Sequence, residues 1–337
     1  MLTAKKAQMQ SEPDQSKRPR ISVAMCSYNS ASWLDEQLAS ILKQSRLPDE
    51  LVVCDDGSKD ETVARLEAFA RSAPFPVRIF RNETNLGFTR NFEKAISLCE
   101  GDVIALSDHD DIWEDFRLVR TEDVFRLRPA VGLVFGDAQV IDQRSAPTGT
   151  RLWDASKFGR LQRAWFRRGK ATEALLNHNV VTGATMAFRA EFRPIVFPIP
   201  DLWVHDGWIA LVVSFFTEIE ALEVPLIRYR QHPRQQVGLP AGFLRRVTES
   251  GEGQRSVLEA QIRQFEAVYA RVSEHARTAR QKDSLRKLRR KIEHFTRRAQ
   301  RPDNRMLRLP MVVRELASLR YTFYSRGWKS ALWDLMV

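Results

Sequence analysis

The stretches ISVAMCSYN (Ile21–Asn29) and LVVCDDGS (Leu51–Ser58) decide the fold, because each is a short apolar run that ends in polar residues. Strands that are apolar on both faces are typical of a parallel sheet covered by helices on both sides. Between them, Ser32–Gln44 has the apolar spacing of an amphipathic helix. We therefore predict a doubly wound α/β domain that begins near Arg20.

The same alternation continues to Asp137 and then breaks. We predict strands at Ile21–Met25, Glu50–Cys54, Val77–Arg81, Val103–Leu106 and Val131–Phe135, with helices at Ser32–Gln44, Asp60–Ser72, Thr89–Leu98 and Phe116–Arg126. Further on we predict a long loop at Arg144–Lys170 with room for one helix, a strand at Val180–Arg189, a buried helix at Leu202–Phe216, a strand or strand pair at Ile219–Tyr229, and helices from Phe243 onward with breaks at Gly251–Gly253, Pro302 and Pro310.

Composition indicates a globular protein that is long enough for about two domains. Hydrophobic residues make up 43% of the 337 positions, and we find no stretch apolar enough to span a bilayer. Residues 1–19 are polar and lack an apolar core, so we predict a disordered lead-in and no signal peptide. Cys26, Cys54 and Cys99 have no metal-binding spacing, which favours reduced cysteines and a cytoplasmic location.

The net charge of +11 is concentrated at the end of the chain. From Ala241 onward there are 22 Lys and Arg against 10 Asp and Glu, a net charge of +12, so the preceding part carries −1. Leu307–Leu335 mixes basic residues with Leu, Phe, Tyr and Trp, as segments that lie on anionic membranes do. Packing of its apolar residues on the catalytic domain or on a second subunit is the open alternative.

Carboxylates follow the predicted strands at the edge where parallel strands end. Asp55–Asp56 close the second strand and Asp108–Asp111 close the fourth, while Tyr28–Asn29 and Asn82 follow the first and third. Ligands bind at this edge in open α/β sheets. Crowded carboxylates repel each other, and an Asp-x-Asp pair of hard oxygen ligands suits Mg²⁺ or Mn²⁺. A simple turn with a helix cap at Asp55–Ser58 is the open alternative.

The run of ISVAMCSYN, LVVCDDGSKDET, RNETNLGFTRNFEKAI and ALSDHDDIW resembles the inverting family-2 glycosyltransferases of the GT-A fold. The resemblance covers roughly Arg20–Gly238 and implies a mostly parallel sheet with flanking helices. It implies that Tyr28, Asp56 and Asn85 hold the nucleoside and that Asn29 also belongs to the donor-binding site. It also implies that Asp108 touches the ribose, that Asp110 binds the metal, and that Arg90 faces the diphosphate. A solvated helix arginine is the open alternative for Arg90.

The acceptor part of such an enzyme is matched by Val181–Ala184 and by Val204–Trp208. The resemblance implies that Asp206 is the catalytic base. The open alternative is a carboxylate that has no function and is stabilised by the helix dipole at the N-terminal end of its helix. It also implies that Arg230 neutralises the leaving group and that His232 binds metal or phosphate. We accordingly divide the chain into residues 1–19, a glycosyltransferase domain at 20–238 (nucleotide-sugar half 20–137, acceptor half 138–238) and a basic helical region at 239–337.

Tyr28, Asp56 and Asn85 favour a pyrimidine nucleotide donor, UDP or dTDP. The variants SDHDDIW and YRQH are most similar to bacterial rhamnosyltransferase-type members, and this resemblance favours dTDP-rhamnose as the sugar donor. The expected acceptor is a glycan or a lipid-linked sugar in surface polysaccharide assembly, reached from the inner face of the membrane. A homodimer is left open, and no nucleic-acid partner is expected. One rival function is a sugar nucleotidyltransferase, but that reaction requires a glycine-rich basic loop after the first strand, where this chain has Cys26–Ser30. The other is a non-catalytic protein that binds polyanions or membranes.

Overall fold

The computed structural model describes residues 18–233, 235 and 251–336. Most of the predicted lead-in, the end of the predicted domain at Gly238 and the predicted helical start at Phe243 therefore lie outside the described residues. Within them the α/β class is confirmed, since a single mixed sheet is flanked by helices.

The sheet contains nine strands in the described part of the chain. They are β1 (Ile21–Ser27), β2 (Glu50–Asp55), β3 (Val77–Arg81), β4 (Val103–Ser107), β5 (Ile112–Trp113), β6 (Val131–Ile141), β7 (Pro147–Arg151), β8 (Ala187–Arg189) and β9 (Glu218–Arg230). Their order is β3-β2-β1-β4-β8-β6-β9-β5, with β7 paired to β6. The strands β1 to β4 are parallel, whereas β8 runs antiparallel to both β4 and β6. The sheet is thus mixed, because β6 and β9 form a second parallel pair and β8 runs antiparallel between the two parallel groups.

The helices before the basic region are α1 (Leu34–Leu42), α2 (Thr62–Ser72), α3 (Phe88–Leu98), α4 (Arg117–Leu127), α5 (Leu152–Ala155), α6 (Arg160–Arg167), α7 (Ala171–Asn177), α8 (Arg193–Val196) and α9 (His205–Ser214). In the basic region they are α10 (Gly251–His275), α11 (Ala279–Ala299), α12 (Arg305–Ala317), α13 (Arg320–Tyr324) and α14 (Trp328–Met336). Short 3₁₀ turns occupy Gly183–Thr185 and Ala190–Phe192.

Alternate residues of the buried strands supply two hydrophobic cores, one on each face of the sheet. Ala24 and Cys26 of β1 pack into the core that includes α3 and α9, whereas Val23 and Met25 pack into the core with α1 and α4. Leu258, Phe265 and Leu288 of α10 and α11 join the first core. The first two helices of the basic region therefore share the core of the sheet domain.

The predicted elements fail mainly after residue 141. The loop expected at Arg144–Lys170 contains β7, α5 and α6, because Trp153, Phe158 and Phe166 pack together beside Phe135. Only Ala187–Arg189 of the strand expected at Val180–Arg189 pairs with neighbours.

Of the breaks predicted in the basic region, only Pro302 falls between helices, α11 and α12. Pro310 lies inside α12, where an exposed proline costs one backbone hydrogen bond without ending the helix. Gly251–Gly253 is the start of α10, and residues 236–250 before it are outside the described residues.

Candidate functional site

A cleft of about 210 Å³ opens at the carboxyl ends of β1, β2 and β4. Parallel pairing sets Ser27 beside Asp55 and Met25 beside Ser107, so the residues that follow these strands meet at one edge. Of the residues proposed from the sequence, the cleft is lined by Tyr28, Asn29, Asp56, Asn85, Asp108, Asp110, Asp206 and His232. Arg90 and Arg230 do not line it.

Asp56 is held by amides of the loop that precedes α3. Its Oδ1 accepts hydrogen bonds from Leu86 N (2.8 Å) and Asn82 Nδ2 (2.8 Å), and its Oδ2 accepts one from Gly87 N (2.9 Å). Gly87 has φ +79°, a conformation that L side chains rarely adopt, so glycine lets the chain turn its N–H toward the carboxylate. Charged acceptors held by several donors keep a fixed orientation.

Asp55, in contrast, stabilises the turn that follows β2. Its carboxylate accepts hydrogen bonds from Ser58 N (2.9 Å) and from the hydroxyls of Ser27 and Ser58. Asn29, with φ +47°, accepts a hydrogen bond from Lys59 N (2.9 Å) and ties β1 to the same turn. The turn interpretation therefore describes Asp55, whereas Asp56 faces the cleft.

Three acidic side chains crowd the end of β4. Burial, with Asp110 and Asp206 nearby, raises the pKa of Asp108 to about 7. Burial and the charges of Asp110 and Asp108 raise the pKa of Asp111 well above its usual range, and its Oδ2 has no hydrogen-bond partner among the described residues. Buried Arg117, stacked 3.6 Å from the Trp113 ring centroid, offsets part of this negative charge.

Asp110 differs from its neighbours because histidines face it. Burial alone would raise its pKa, but His109 and a 2.8 Å hydrogen bond to Nε2 of His232 hold the pKa below its ordinary value. The His232 ring stacks on Trp33 with centroids 4.0 Å apart. Asp110 and His232, predicted as metal ligands, are thus brought together from the segments that follow β4 and β9.

Asp206 lies in the first turn of α9 and is fixed by two backbone amides. Its Oδ2 accepts a hydrogen bond from Gly183 N (3.1 Å), and its Oδ1 accepts one from Gly207 N (2.5 Å). A Cβ at position 183 would lie 2.8 Å from His205 Nε2, so only glycine permits this close approach. The carboxylate lines the same cleft as Asp108, and its negative charge helps to raise the pKa of Asp108.

His205 lines the same cleft and is 6% exposed. Its ring stacks on Phe92 with centroids 4.1 Å apart, and neither ring nitrogen has a hydrogen-bond partner within the described segments. Burial lowers the pKa of this imidazole. Two unpaired nitrogens in a buried ring are costly, and a substrate hydroxyl or water in the cleft would satisfy them.

The geometry contradicts the role predicted for Arg230. Its side chain is fully buried; Nε donates to Asp110 O (2.6 Å), Nη1 to Ser145 Oγ (2.8 Å) and Nη2 to Glu36 Oε2 (2.9 Å). Its backbone N–H also donates to Asp111 (2.9 Å). Arg230 therefore shapes the acidic loop, and its donors are already used within the protein.

Arg90 also lies outside the cleft in this structure. Its guanidinium forms ion pairs with Glu93 (2.7 Å) and Asp201 (2.5 Å) on the surface. The alternative of a solvated helix arginine describes this geometry better than a contact with a diphosphate.

Sequence reasoning assigned no role to four aromatic residues of the cleft, Trp33, Phe88, Phe92 and Tyr229. Phe88 and Phe92 are one helical turn apart on α3, and that spacing is the signal that would have placed them on one face. Trp33 gives no such signal, because an aromatic residue before a helix is read as core.

A family model described as Glycosyl transferase family 2 matches residues 22–193, about half of the chain. The chain belongs to this family. Among curated proteins, an uncharacterized glycosyltransferase of Nostoc sp. (strain PCC 7120) is 29% identical over 226 residues, 63% of this chain and 65% of that protein. The chain thus spans slightly less than two thirds of that relative's length. The Escherichia coli protein named UDP-Glc:alpha-D-GlcNAc-diphosphoundecaprenol beta-1,3-glucosyltransferase WfgD is 30% identical over 125 residues, 37% of this chain and 48% of that protein.

Two solved structures resemble the whole fold. Mannosyltransferase PcManGT from Pyrobaculum calidifontis, in complex with GDP-Man and Mn²⁺, has a TM-score of 0.51 and 17% identity over 94% of this chain and 79% of that chain. S. aureus TarS residues 1–349, in complex with UDP-GlcNAc, has a TM-score of 0.52 and 16% identity over 90% of this chain and 81% of that chain. They confirm the expected GT-A-type fold.

Proposed function

We propose that this protein transfers a sugar from a nucleotide-diphosphate donor to an acceptor hydroxyl, in a single displacement that inverts the anomeric centre. The observation that carries the proposal is the position of Asp206. Two backbone amides hold its carboxylate in the cleft that also contains Asp56, Asp108 and Asp110. A rigid base and a nucleotide-binding edge thus face one space, which is what direct transfer requires.

Asp206 acts as the general base in this proposal. It takes the proton from the acceptor hydroxyl as the oxygen attacks the anomeric carbon, while the bond from that carbon to the diphosphate breaks. The amides of Gly183 and Gly207 fix the orientation of the carboxylate toward the cleft. No enzyme nucleophile is needed, because a single displacement by the acceptor hydroxyl forms no covalent intermediate between sugar and enzyme.

In this proposal the donor binds at the edge formed by the carboxyl ends of β1, β2 and β4. Tyr28, Asp56 and Asn85 hold the nucleoside, and Asp108 accepts from the ribose. We favour UDP or dTDP, with dTDP-rhamnose as the first sugar to test from the rhamnosyltransferase-like motifs. The name of the E. coli relative specifies UDP-Glc, whereas one structural neighbour is in complex with GDP-Man, so the base and the sugar both need measurement.

A divalent cation, Mg²⁺ or Mn²⁺, fits the acidic edge. In the part of the chain that the structure describes, no group of three or more acidic, His or Cys side chains forms a complete metal site. Asp110 and His232 would hold the ion together with the donor diphosphate, as expected for Mg²⁺-like cations that share phosphate ligands. When bound, the cation offsets the charge of the departing nucleoside diphosphate. Among the described residues that line the cleft there is no Lys or Arg for that task.

The acceptor is a hydroxyl of a glycan or of a lipid-linked sugar in surface polysaccharide assembly. The name of the E. coli relative specifies a sugar linked to diphosphoundecaprenol, which supports the lipid-linked option. The cytoplasmic location expected from Cys26, Cys54 and Cys99 stays a prediction; all three are free and buried.

The decisive experiment is calorimetric titration with UDP, dTDP, GDP and ADP in Mn²⁺ or Mg²⁺, followed by transfer assays with the matching nucleotide sugars. We expect pyrimidine nucleotides to bind more tightly and EDTA to abolish transfer. Asp110→Ala should remove metal-dependent binding, whereas Asp115→Ala, an exposed carboxylate just beyond the cluster, is the matched control. Full transfer in excess EDTA, or a preference for purines, would contradict these assignments. The configuration of the product's anomeric proton, read by NMR, tests inversion.

A further inference from the structure

The last three helices have charged residues on their inner side. Asp334 of α14 is fully buried and accepts hydrogen bonds from Arg298 Nε (2.6 Å) and from the hydroxyl of Tyr321 (2.7 Å). Glu315 of α12 is 1% exposed and accepts from His294 Nδ1 (2.6 Å) and Arg297 Nη1 (2.6 Å). Polar pairs therefore hold α12 and α14 onto α11.

The outer side of the same helices is apolar. On α12 the exposed residues Met306, Leu309, Val313 and Leu316 follow a spacing of three, four and three, which places them on one face. On α14 the exposed residues Trp328, Leu332 and Met336 recur every four positions. We call these seven residues, with Phe323 and Trp333, the C-terminal apolar face.

This arrangement reverses the usual amphipathic helix, whose apolar stripe faces the core. Single exposed apolar residues are ordinary, but a continuous stripe marks a binding surface. Met306 is 84% and Trp328 66% exposed, so no other described segment of the chain covers them. The two stripes belong to helices that pack together through Val312 and Ala331, so they form one structural unit.

Basic residues border the C-terminal apolar face. Arg314, Arg326 and Lys329 are exposed on or between its helices, within a region whose net charge from Ala241 onward is +12. A polyanionic surface complements this charge. Trp side chains favour the boundary between lipid and water, and long basic side chains can reach outward from it to lipid headgroups.

We propose that the C-terminal apolar face lies on the surface of an anionic lipid bilayer. No helix of the described residues is long and apolar enough to cross a membrane, so the helices would rest in the interface with their apolar stripes inward. The basic border supplies attraction to the headgroups. This surface is separate from the cleft, and the proposal holds or fails independently of sugar transfer.

The test is co-flotation of the full chain with vesicles of phosphatidylcholine alone or mixed with phosphatidylglycerol, at low and high salt. We expect binding to the anionic vesicles that weakens with salt. Leu309→Glu and Trp328→Glu should each weaken it about tenfold or more, because each removes apolar contact and adds repulsion. The control is Leu161→Glu, which changes a leucine of α6 that is 69% exposed. Arg326→Glu with Lys329→Glu should lower binding at low salt while keeping the apolar stripe.

Unchanged circular dichroism and nucleotide binding will show that the variants fold. The proposal is overturned if the native chain fails to bind anionic vesicles at low salt, or if Leu309→Glu and Leu161→Glu behave alike. Sedimentation gives the remaining outcome. A dimer that Trp328→Glu dissociates, without lipid binding, assigns the face to a second copy of the chain and overturns the membrane proposal.

Discussion

The cleft and the C-terminal helices both bury carboxylates, but they treat them in opposite ways. In the helices, Glu315 and Asp334 each contact cationic or histidine side chains within 2.6 Å. At the cleft, Asp108 and the buried Asp111 beside it lie near other acids, and Oδ2 of Asp111 is unpaired within the described residues. Burial disfavours the ionised form of both sets of carboxylates, yet the pKa of Glu315 is lowered while that of Asp108 rises to about 7.

This difference is the one expected between buried carboxylates that stabilise a fold and buried carboxylates that are available to a ligand. A buried acid whose partners come from the protein stabilises one arrangement of helices, and its removal leaves uncompensated charge behind. Acids that are crowded together and only partly paired cost stability, and such a cost is common where a protein binds a cation or substrate. Substitutions in each region test this difference.

The largest effect is expected in the cleft, for Asp206→Asn. The amide keeps the size of the side chain and still accepts from a backbone N–H, but it cannot take a proton. We expect transfer to fall by about 10²- to 10⁴-fold with donor affinity unchanged. Steady-state kinetics and nucleotide titration measure the two quantities, with Asp201→Asn on the exposed surface as the control. Loss of donor binding would assign Asp206 to the nucleotide site, and near-normal turnover would move the base elsewhere, with His205 as the next residue to test.

In the C-terminal region, Asp334→Ala should lower the free energy of unfolding by roughly 3–5 kcal/mol, because Arg298 is left buried without its anion. Asp303→Ala breaks a pair with Arg255 whose carboxylate is 90% exposed, and it should cost at most about 1 kcal/mol. Urea denaturation compares the two. Equal effects would mean that the inner face of these helices contributes no more than a surface pair.

Acid should weaken the C-terminal region through His294. Burial lowers the pKa of this histidine from 6.5 to about 4, despite its contact with Glu315. Between these values the unfolded chain binds a proton that the folded chain does not, so the free energy of unfolding falls as pH drops. Denaturation of the native chain and of His294→Gln from pH 7 to pH 4 measures how much of this loss of stability comes from His294. The variant should show a shallower loss, and identical slopes would rule out this histidine.

The cleft should show the opposite dependence through Asp108. Its pKa is raised from 3.8 to about 7, so the folded chain holds a proton there that the unfolded chain releases. Without metal, this contribution to stability is lost as pH rises through that window. Asp108→Asn should reduce the loss in metal-free buffer. If the variant and the native chain follow the same pH profile, the crowding of carboxylates has no energetic consequence in solution.

The smallest effect is expected for Arg90→Ala. The guanidinium pairs with Glu93 and Asp201 on the surface, so its removal should change donor KM by no more than about twofold and stability by less than about 1 kcal/mol. Initial-rate kinetics over donor concentration check this expectation. A tenfold rise in KM would show that Arg90 reaches the diphosphate when donor is bound.

Much of the cleft was predictable because strand ends are local features of the sequence. ISVAMCSYN and LVVCDDGS each join a buried run to polar residues, and parallel pairing brings such ends to one edge whatever the loops between them do. Arg230 shows the limit of this reasoning. The resemblance implied that it neutralises the leaving group, but whether its side chain faces ligand or protein depends on Glu36 and Ser145, which are distant in the chain.

The α/β class, the family-2 motifs and the set of acids at the carboxyl edge of the strands follow from the sequence alone. These follow from short-range periodicity and from spacing within single segments. Only the tertiary structure decided that β8 runs antiparallel, that Gly183 N–H holds Asp206, and that α12 and α14 turn their apolar residues outward. The physical reason is that burial and hydrogen bonding are shared between segments far apart in the chain. The same leucine is core or surface according to what packs against it.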